Sequence, residues 1–218
     1  MRNILIIGAG KSSPYLIKYL IEHSQKQELN LHITDVKIDH LTHYRKHKRC
    51  SISPINILNE KEREQYILES DIVISMLPAR FHIILAKSCL KLGRNLLTAS
   101  YVSDEMKSLS AEIKDKNLIF LNEIGLYPGI DHMSAKKIID ELQNESYKIN
   151  SFKSYTGGLI APESDNNSWN YKFTWNPRNV VLAGQGSPAK YIENKKYKYI
   201  PYNRLFENTE RIQINNFG

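Results

Sequence analysis

Residues Ile4 to Ser13 read ILIIGAGKSS, and this stretch decides the fold that the rest of the chain has to complete. Ile4 to Ile7 form a continuous apolar run, which is typical of a parallel strand buried on both faces. Gly8-Ala9-Gly10 then permits a tight turn, and Ser13-Pro14 offers an N-cap candidate with proline at the first helical position. The pattern predicts a strand, a glycine turn and a helix, the opening of a dinucleotide-binding unit.

The glycine turn carries the chemistry that a pyrophosphate requires. Gly8 permits the turn, Gly10 lets the backbone approach the phosphates, and the helix N-terminus supplies N–H donors with a partial positive charge. Ser13 occupies the position of the third glycine in the usual fingerprint, so the packing of helix on strand must accommodate its side chain. The alternative is an ordinary turn at a strand end. We predict cofactor contacts from the turn residues Gly8, Gly10, Lys11, Ser12 and Ser13.

Apolar strands and amphipathic helices alternate through the first part of the chain. Further strands are predicted at Leu29–Asp35, Asp71–Pro78, Asn95–Ser100 and Asn117–Leu121, with helices at Glu60–Glu69, Ile84–Leu92 and Asp104–Lys114. Residues between Asp35 and Ser53 show no clear pattern. This alternation predicts the α/β class, with a Rossmann doubly wound parallel sheet and right-handed crossovers.

The pattern changes after Asp131. A helix is predicted at His132–Gln143, and segments of alternating polar and apolar residues follow at 149–158, 170–177 and 197–206. These segments predict an antiparallel or mixed sheet. We therefore divide the chain into a dinucleotide-binding domain at 1–128 and a second domain at 129–218.

Asp35 ends the second predicted strand, 25 residues after Gly10. An acid at this position binds a ribose 2′-hydroxyl and repels a 2′-phosphate, so the sequence predicts NAD or NADP with NAD preferred. Lys37 and the basic run Tyr44–Arg49 (YRKHKR) instead favour NADP if their loop folds back on the cofactor, because their positive charges would neutralise the 2′-phosphate. Asp35 could alternatively serve as a turn acid.

Two further loops follow predicted strands, Leu77-Pro78 and Ser100-Tyr101. Ligands of doubly wound sheets lie outside the carboxyl ends of the strands. We therefore predict that these residues border the cofactor, and that Ser100 and Tyr101 also contact the substrate. Strand termination by proline and ordinary packing of tyrosine are the alternatives.

Residues Asn122 to His132 (NEIGLYPGIDH) join the last predicted strand to a helix. A Pro-Gly turn does not require Glu123, Asp131 or His132. Histidine is the usual side chain for proton transfer near neutral pH, so His132 suits that role, although a histidine at a helix start is often structural. Asp131 could equally be an N-cap. We predict Asp131 and His132 as catalytic residues.

Composition narrows the functional class. The 218 residues carry a net charge of +7, but the basic residues are spread along the chain, which disfavours a nucleic-acid partner. Cys50 and Cys89 are too few for a disulfide framework and have no zinc spacing. No run approaches the ~20 apolar residues of a membrane helix. We predict a cytoplasmic protein with a small-molecule substrate, no metal and no membrane partner.

Longer sequence blocks are more specific than this periodicity. GLYPGIDH (125–132), SYTGGLIAPE (154–163) and YKFTWNPR (171–178), with ISMLP and TASYVS at the earlier strand ends, resemble the saccharopine dehydrogenase (saccharopine reductase) family, glutamate-forming branch. The resemblance covers essentially the whole chain. It implies a Rossmann domain joined to a mixed α/β substrate and dimerisation domain, a homodimer, and NAD(P)-linked interconversion of saccharopine with glutamate and 2-aminoadipate 6-semialdehyde.

The resemblance also assigns site residues. It places the cofactor loop at Gly8, Gly10, Lys11 and Ser12, and it implies substrate contacts from Ser100, Tyr101, Tyr127, Gly129, Lys172, Phe173 and Arg178. Lys172 and Arg178 suit the carboxylates of saccharopine. Tyr127 stands where the family usually has aspartate, and Thr156 where eukaryotic members usually have cysteine.

Three readings of function stay open at this point. Saccharopine dehydrogenase is the first, a carboxynorspermidine dehydrogenase-like reductase is the second, and a non-catalytic nucleotide-binding protein is the third. Family members are longer than 218 residues. We therefore expect this chain to carry only the first part of the substrate domain.

Overall fold

The apolar run at the start of the chain forms the central strand of a parallel sheet. In the computed structural model, which describes residues 1–158, 160–173, 177–178, 188–207 and 209–211, this strand is β1 (Arg2–Ile7). Six strands pair in the order β3-β2-β1-β4-β5-β6, and every pair is parallel. The remaining five are β2 (Leu29–Asp35), β3 (Cys50–Pro54), β4 (Ile72–Ser75), β5 (Asn95–Thr98) and β6 (Phe120–Leu121). This is the strand order of the Rossmann fold, so the predicted class is confirmed.

Helices connect most successive strands as the alternation predicts, whereas β2 and β3 are joined by a 3-10 helix and the last helix follows β6. The α-helices are α1 (Pro14–His23), α2 (Glu60–Leu68), α3 (His82–Leu92), α4 (Asp104–Ser108), α5 (Ser110–Asp115) and α6 (Ile130–Asn144). In α3 the last turn ends at Gly93, whose φ of +67° is left-handed, as at many helix C-termini. Parallel strands need such crossovers because each strand must return to the same end of the sheet.

The sheet is buried on both faces because β1 is apolar at successive positions. Leu5 and Ile7 join one cluster of buried side chains, together with Leu85 from α3. Ile4 and Ile6 join a second cluster, which contains Ile17 from α1. Successive side chains of a strand point to opposite faces, so a run without polar interruption fills both layers.

Two sequence-based expectations in this region need correction. The unassigned stretch after Asp35 holds a 3-10 helix at Asp39–Lys46 and the edge strand β3. The single helix predicted at Asp104–Lys114 is two short helices that meet at Leu109. There the hydroxyls of Ser108 and Ser110 donate to carbonyls three residues earlier, which competes with helical hydrogen bonding.

Contacts between Cα atoms divide the chain into two compact units, Met1–Tyr155 and Thr156–Gly218. Helix α6 belongs to the first unit, whereas the boundary predicted after residue 128 would place it in the second domain. That boundary stays a prediction. No helix in the described part of the chain is both long and apolar enough to cross a bilayer.

The second unit holds an antiparallel hairpin of β7 (Ala189–Glu193) and β8 (Lys196–Ile200), followed by a 3-10 helix at Tyr202–Glu207. The strand predicted to begin at 197 is confirmed in β8. Strands predicted at 149–158 and 170–177 do not form in the described residues of those segments, while residues 174–176 lie outside them.

Leu85 tests the buried layer between α3 and the sheet. It is 0% exposed, whereas Ile119 is 64% exposed. Leu85→Ala should lower the free energy of unfolding by about 2–5 kcal/mol, because it removes buried methyl groups and leaves a cavity. Ile119→Ala should change it by less than about 0.5 kcal/mol. Urea denaturation measures both, and equal effects would contradict the packing described here.

Candidate functional site

The glycine turn after β1 is shaped by contact with the neighbouring strand end. Gly8 has a φ of +99°, and a Cβ atom there would lie 2.9 Å from the carbonyl carbon of Met76, just beyond β4. The Gly8 amide donates to the Thr34 carbonyl at 2.8 Å. Gly10, by contrast, is exposed, and among the described residues no neighbouring atom lies within 4 Å of the position that its Cβ would take. Gly8 is therefore required by the fold, while the space beside Gly10 is open.

Backbone amides at the start of α1 are available to a ligand. Those of Gly10, Lys11 and Ser12 form no hydrogen bond with any residue that the structure describes. Ser13 is buried, and both its amide and its hydroxyl donate to the Gly10 carbonyl, at 3.1 and 2.8 Å. Three amides at a helix N-terminus fit a pyrophosphate. Ser13 shapes the turn through these two hydrogen bonds, and its contact with the cofactor stays a prediction.

Asp35 and His40 fix the residue between the two glycines. The amide of Ala9 donates to Asp35 Oδ2 at 2.6 Å, and the Ala9 carbonyl accepts a hydrogen bond from His40 Nε2 at 2.8 Å. Asp35 Oδ1 also accepts the amide hydrogen of Lys37, at 3.3 Å. The carboxylate therefore acts as a turn acid. This geometry explains Asp35 without a ribose, and it weakens the preference for NAD that we predicted from it.

The dense basic run does not fold back toward the glycine turn. Lys46 to Arg49 line a recess with Ile21, Ser24 and Gln25, at the C-terminal end of α1. Arg49 directly precedes β3, so these cations lie near the amino ends of the parallel strands. Ligands of doubly wound sheets bind near the carboxyl ends of the strands. The suggestion that YRKHKR neutralises a phosphate is wrong, and Lys37 is the nearby cation that follows β2.

A buried histidine joins the ends of β4 and β5. His82, the first residue of α3, is bonded through Nδ1 to the hydroxyl of Ser75 and through Nε2 to that of Ser100, both at 2.8 Å. Burial lowers the pKa of His82 to about 4, so the ring is neutral at physiological pH. Our sequence reasoning missed His82. The available signal was a histidine directly before the apolar residues Ile83, Ile84, Leu85 and Ala86 of a helix.

Glu123 holds the loop that follows β5. Its Oε1 accepts the amide hydrogen of Val102 at 3.0 Å, and its own amide donates to the Ser100 carbonyl at 3.1 Å. Tyr101 lies between these tethered residues and is 63% exposed. Partial desolvation raises the pKa of its hydroxyl, and the nearby Tyr127, Asp131 and Glu123 raise it further. Tyr101 therefore stays protonated and can donate a hydrogen bond.

The backbone conformation of the Pro-Gly turn before α6, and the close approach of its two glycines, require glycine at these positions. Gly129 has a φ of +145°, and a Cβ there would lie 2.2 Å from the carbonyl oxygen of Gly125. Gly125 in turn donates to the Pro128 carbonyl at 2.8 Å. The Tyr127–Pro128 peptide bond is cis. Gly129 is thus explained by the turn, and its substrate contact stays a prediction.

Asp131 and His132 form a pair in the first turn of α6. Asp131 Oδ1 accepts hydrogen bonds from the Gly129 amide at 2.7 Å and from His132 Nδ1 at 2.9 Å. Partial burial opposes ionisation of Asp131, but hydrogen bonds from Gly129 and His132 outweigh it and lower the pKa. Gly129, not Asp131, occupies the N-cap position. The His132 side chain is 71% exposed, so Nε2 can exchange protons with a ligand or with water.

Of the remaining predicted site residues, Leu77 lies beside the glycine turn, since a Cβ on Gly8 would be 3.1 Å from the Leu77 amide nitrogen. Leu77 is half-buried and Pro78 is exposed, directly after β4. Lys172, Phe173 and Arg178 belong to the second unit. Lys172 Nζ donates to the Ser164 carbonyl, the Phe173 ring packs edge-on against Tyr171, and Arg178 is exposed. Their substrate contacts stay predictions. In the described residues no three His, Cys, Asp or Glu side chains are grouped to hold a metal ion.

Two domains of one family match this chain. The saccharopine dehydrogenase NADP binding domain matches residues 4–121, and the saccharopine dehydrogenase C-terminal domain matches residues 125–217. The chain belongs to the saccharopine dehydrogenase family. The resemblance stated from its sequence blocks is therefore confirmed.

Relatives within the saccharopine dehydrogenase family are named for NADP. Saccharopine dehydrogenase [NADP(+), L-glutamate-forming] of Schizosaccharomyces pombe is 36% identical over 210 residues, which cover 95% of this chain and 45% of the relative. Alpha-aminoadipic semialdehyde synthase of Arabidopsis thaliana is 39% identical over 162 residues, or 74% of this chain and 15% of the relative. Neither name supports the predicted preference for NAD.

One solved structure of a family member is similar to this chain. Apo saccharopine dehydrogenase (L-Glu forming) from Saccharomyces cerevisiae superposes with a TM-score of 0.82 at 30% identity, covering 98% of this chain and 47% of that one. The chain thus spans about half the length of the fungal saccharopine dehydrogenases that it matches.

The two glycines of the turn give a matched pair of substitutions. Gly8→Ala should lower the melting temperature, because its Cβ would press against the Met76 backbone and its φ is left-handed. Gly10→Ala should leave the melting temperature nearly unchanged but weaken dinucleotide binding, because the new methyl group enters the open space. Thermal unfolding and calorimetric titration separate these effects. Similar loss of stability in both variants would contradict the geometry.

Asp131 predicts a pH-dependent difference in stability. Its folded-state pKa lies below the ordinary 3.8, so the ionised form stabilises the fold above that pH, and this contribution disappears as pH falls through the folded pKa. Asp131→Ala should therefore be less stable than wild type at about pH 6 and should approach it in acid. Asp140→Ala, in the same helix, is the control and should show little change. Urea unfolding across pH measures both, and a constant difference would refute the assignment.

Proposed function

We propose that this chain carries the cofactor-binding part of an NADP(H)-dependent saccharopine dehydrogenase, which interconverts saccharopine with L-glutamate and 2-aminoadipate 6-semialdehyde. The observation that carries the proposal is the match of both family domains to one chain whose turn offers three unpaired amides within its described part. Relatives named for this reaction support the substrate.

The residues around the glycine turn fit a dinucleotide. The amides of Gly10, Lys11 and Ser12 would hold the pyrophosphate, because they are donors at a helix N-terminus beside open space. The adenosine half would extend toward β2 and the nicotinamide half toward β4 and β5, on either side of β1.

We propose NADP(H) rather than NAD(H) as the cofactor. The matched domain and the relatives are named for NADP. Both oxygens of Asp35 accept backbone hydrogen bonds, so the acid has a structural reason to be there. Lys37 is exposed beside it and offers an ammonium group to a 2′-phosphate.

Asp131, His132 and Tyr101 supply proton chemistry near the strand ends. When bound, the nicotinamide accepts or returns a hydride at the substrate carbon. The Asp131 carboxylate holds His132 Nδ1 at 2.9 Å, which leaves Nε2 to take a proton from the substrate's secondary amine or from water. Tyr101 stays protonated and donates a hydrogen bond. Lys172 and Arg178 would bind substrate carboxylates.

Turnover tests this proposal against its alternatives. Saccharopine-dependent reduction of NADP⁺, followed by NADPH absorbance, is expected for the saccharopine enzyme. Turnover of carboxynorspermidine instead would favour the related reductase. Binding of NADPH without turnover of either substrate would favour a nucleotide-binding protein, a reading that Tyr127 supports because it removes a carboxylate usual in the family. Absence of NADPH binding would refute all three.

We also propose a homodimer that acts on a small molecule in the cytoplasm, on the strength of the family resemblance and the composition. Analytical ultracentrifugation of the chain should then give a dimer mass. A monomer at all concentrations would refute the dimer.

Lys37 provides the test of cofactor choice. Lys37→Ala should weaken NADPH binding by about tenfold, because it removes the ammonium group available to the 2′-phosphate, and should leave NADH binding within about twofold. Lys26→Ala, an exposed lysine in the turn before β2, is the matched control. Calorimetric titration measures all of these affinities. An equal loss for both cofactors would show that Lys37 does not recognise the phosphate.

A further inference from the structure

Three polar side chains form a continuous hydrogen-bonded chain beneath the ligand-binding edge of the sheet. Ser75 ends β4, His82 begins α3, and Ser100 follows β5. Ser75 is 1% exposed and His82 is 5% exposed, while Ser100 is half-buried. Both links are 2.8 Å long. The proton chemistry proposed above does not use this chain, so its presence needs a separate explanation.

The number of available hydrogens determines which group donates in each of the two hydrogen bonds of His82. The ring of His82 is neutral, so only one of its nitrogens carries a hydrogen. The Ser75 hydroxyl forms no other hydrogen bond with the described residues, and a buried hydroxyl hydrogen without an acceptor is unfavourable. Ser75 therefore donates to Nδ1, and the hydrogen of the ring lies on Nε2. That nitrogen donates to Ser100 Oγ.

The hydroxyl hydrogen of Ser100 is then left for an external acceptor. Because Ser100 Oγ accepts from His82, its own hydrogen cannot point back along the same link, and it has no other acceptor among the described residues. The Ser100 amide is separately held by Thr98 Oγ1 at 3.1 Å, which fixes the backbone of this residue. Ser100 is thus a donor whose orientation is set by a buried ring.

Strand order shows which part of the cofactor this donor can reach. β5 lies two strands from β1, on the side opposite to β2 and Asp35. Neighbouring strands are about 4.8 Å apart, so Ser100 lies roughly 10 Å from the glycine turn, measured across the carboxyl ends of the strands. With the pyrophosphate at the turn and the adenosine ribose toward β2, the nicotinamide half occupies the side of β4 and β5.

We propose that His82, as its Nε2–H tautomer, is a positioning residue that fixes the Ser100 hydroxyl as a hydrogen-bond donor to the nicotinamide half of the cofactor. The acceptor is an oxygen of the carboxamide or of the adjoining ribose. This inference rests on the proposed binding of NADP(H). It assigns to a buried histidine a role in cofactor recognition that is separate from proton transfer at His132.

Two ligands separate the nicotinamide half from the rest of the cofactor. NADPH occupies the whole site, whereas 2′,5′-ADP carries only the adenosine end and its phosphates. His82→Phe removes the donor to Ser100 and should weaken NADPH binding by about tenfold while leaving 2′,5′-ADP binding within about twofold. His82→Gln places an amide nitrogen near the position of Nε2 and should restore NADPH binding to within about threefold of wild type. Ser100→Ala should match His82→Phe.

Calorimetric titration of the full 218-residue chain gives these affinities. The ¹⁵N–¹H correlation spectrum of histidine-labelled protein reports the tautomer directly. We expect the hydrogen of His82 on Nε2, and a hydrogen on Nδ1 would overturn the proposal. Equal loss of both ligands in His82→Phe would indicate a structural role alone and would also overturn it.

The outcomes distinguish this inference from the function on which it rests. If wild-type chain binds NADPH normally and His82→Phe binds it equally well, only the role of His82 fails. If wild-type chain binds neither NADPH nor 2′,5′-ADP, the proposed function fails and takes this inference with it.

Discussion

The close approach of the backbone at Gly8 to that at Met76 is the constraint on which the site depends. β1 and β4 are neighbours in the sheet, and the chain leaves both at the same edge. At 2.9 Å from the Met76 carbonyl carbon, a Cβ at residue 8 has no room. Only glycine lets the turn pass so close to β4. The turn then delivers its unpaired amides to the start of α1 while the β4 loop stays beside it.

Polar side chains tie each strand end to its neighbour along this edge. Asp35 at the end of β2 holds Ala9 in the turn after β1. His82 connects the ends of β4 and β5, and Glu123, after β6, holds the backbone of the loop after β5. Three of these contacts, from Asp35 to Ala9, from His82 to Ser100 and from Glu123 to Val102, join residues 18 to 26 positions apart, so the sheet positions the loops more than local preference does. Such preorganisation favours a site that binds without large rearrangement.

The sequence was most informative where one physical signal dominated. Burial on both faces of the sheet allowed β1 and the bounds of β2 (Leu29–Asp35) to be predicted. The demands of a tight turn allowed the glycine turn to be predicted. The edge strand β3 escaped prediction because its Cys-Ser-Ile-Ser-Pro segment is only partly buried and lacks a clear pattern. Ser100 and Tyr101 became site candidates through their position after a predicted strand, and Asp131 and His132 through their position in the Pro-Gly turn before a helix.

Hydrophobic periodicity does not predict which side chains hydrogen-bond to one another. Nothing in the sequence around Asp35 states that its carboxylate binds the Ala9 amide 26 residues earlier. The pairing of His82 with Ser75 and Ser100 depends on the register of β4 with β5, which no local pattern records. Ser13 likewise looked like a cap, but its amide and its hydroxyl donate to the Gly10 carbonyl within the turn. Such contacts exist only once strand order is known.

The double duty of Asp35 has a consequence for how cofactor choice can evolve in this chain. The same carboxylate that would meet a ribose also clamps the peptide at the centre of the phosphate loop. Replacing it to suit a different nucleotide would release that clamp and alter the loop at the same moment. The proposed contact with the sugar and the shape of the diphosphate loop would therefore both depend on this one carboxylate. A lineage could change its preference between NAD and NADP more readily through residue 37, because the side chain of that residue does not hold the phosphate loop.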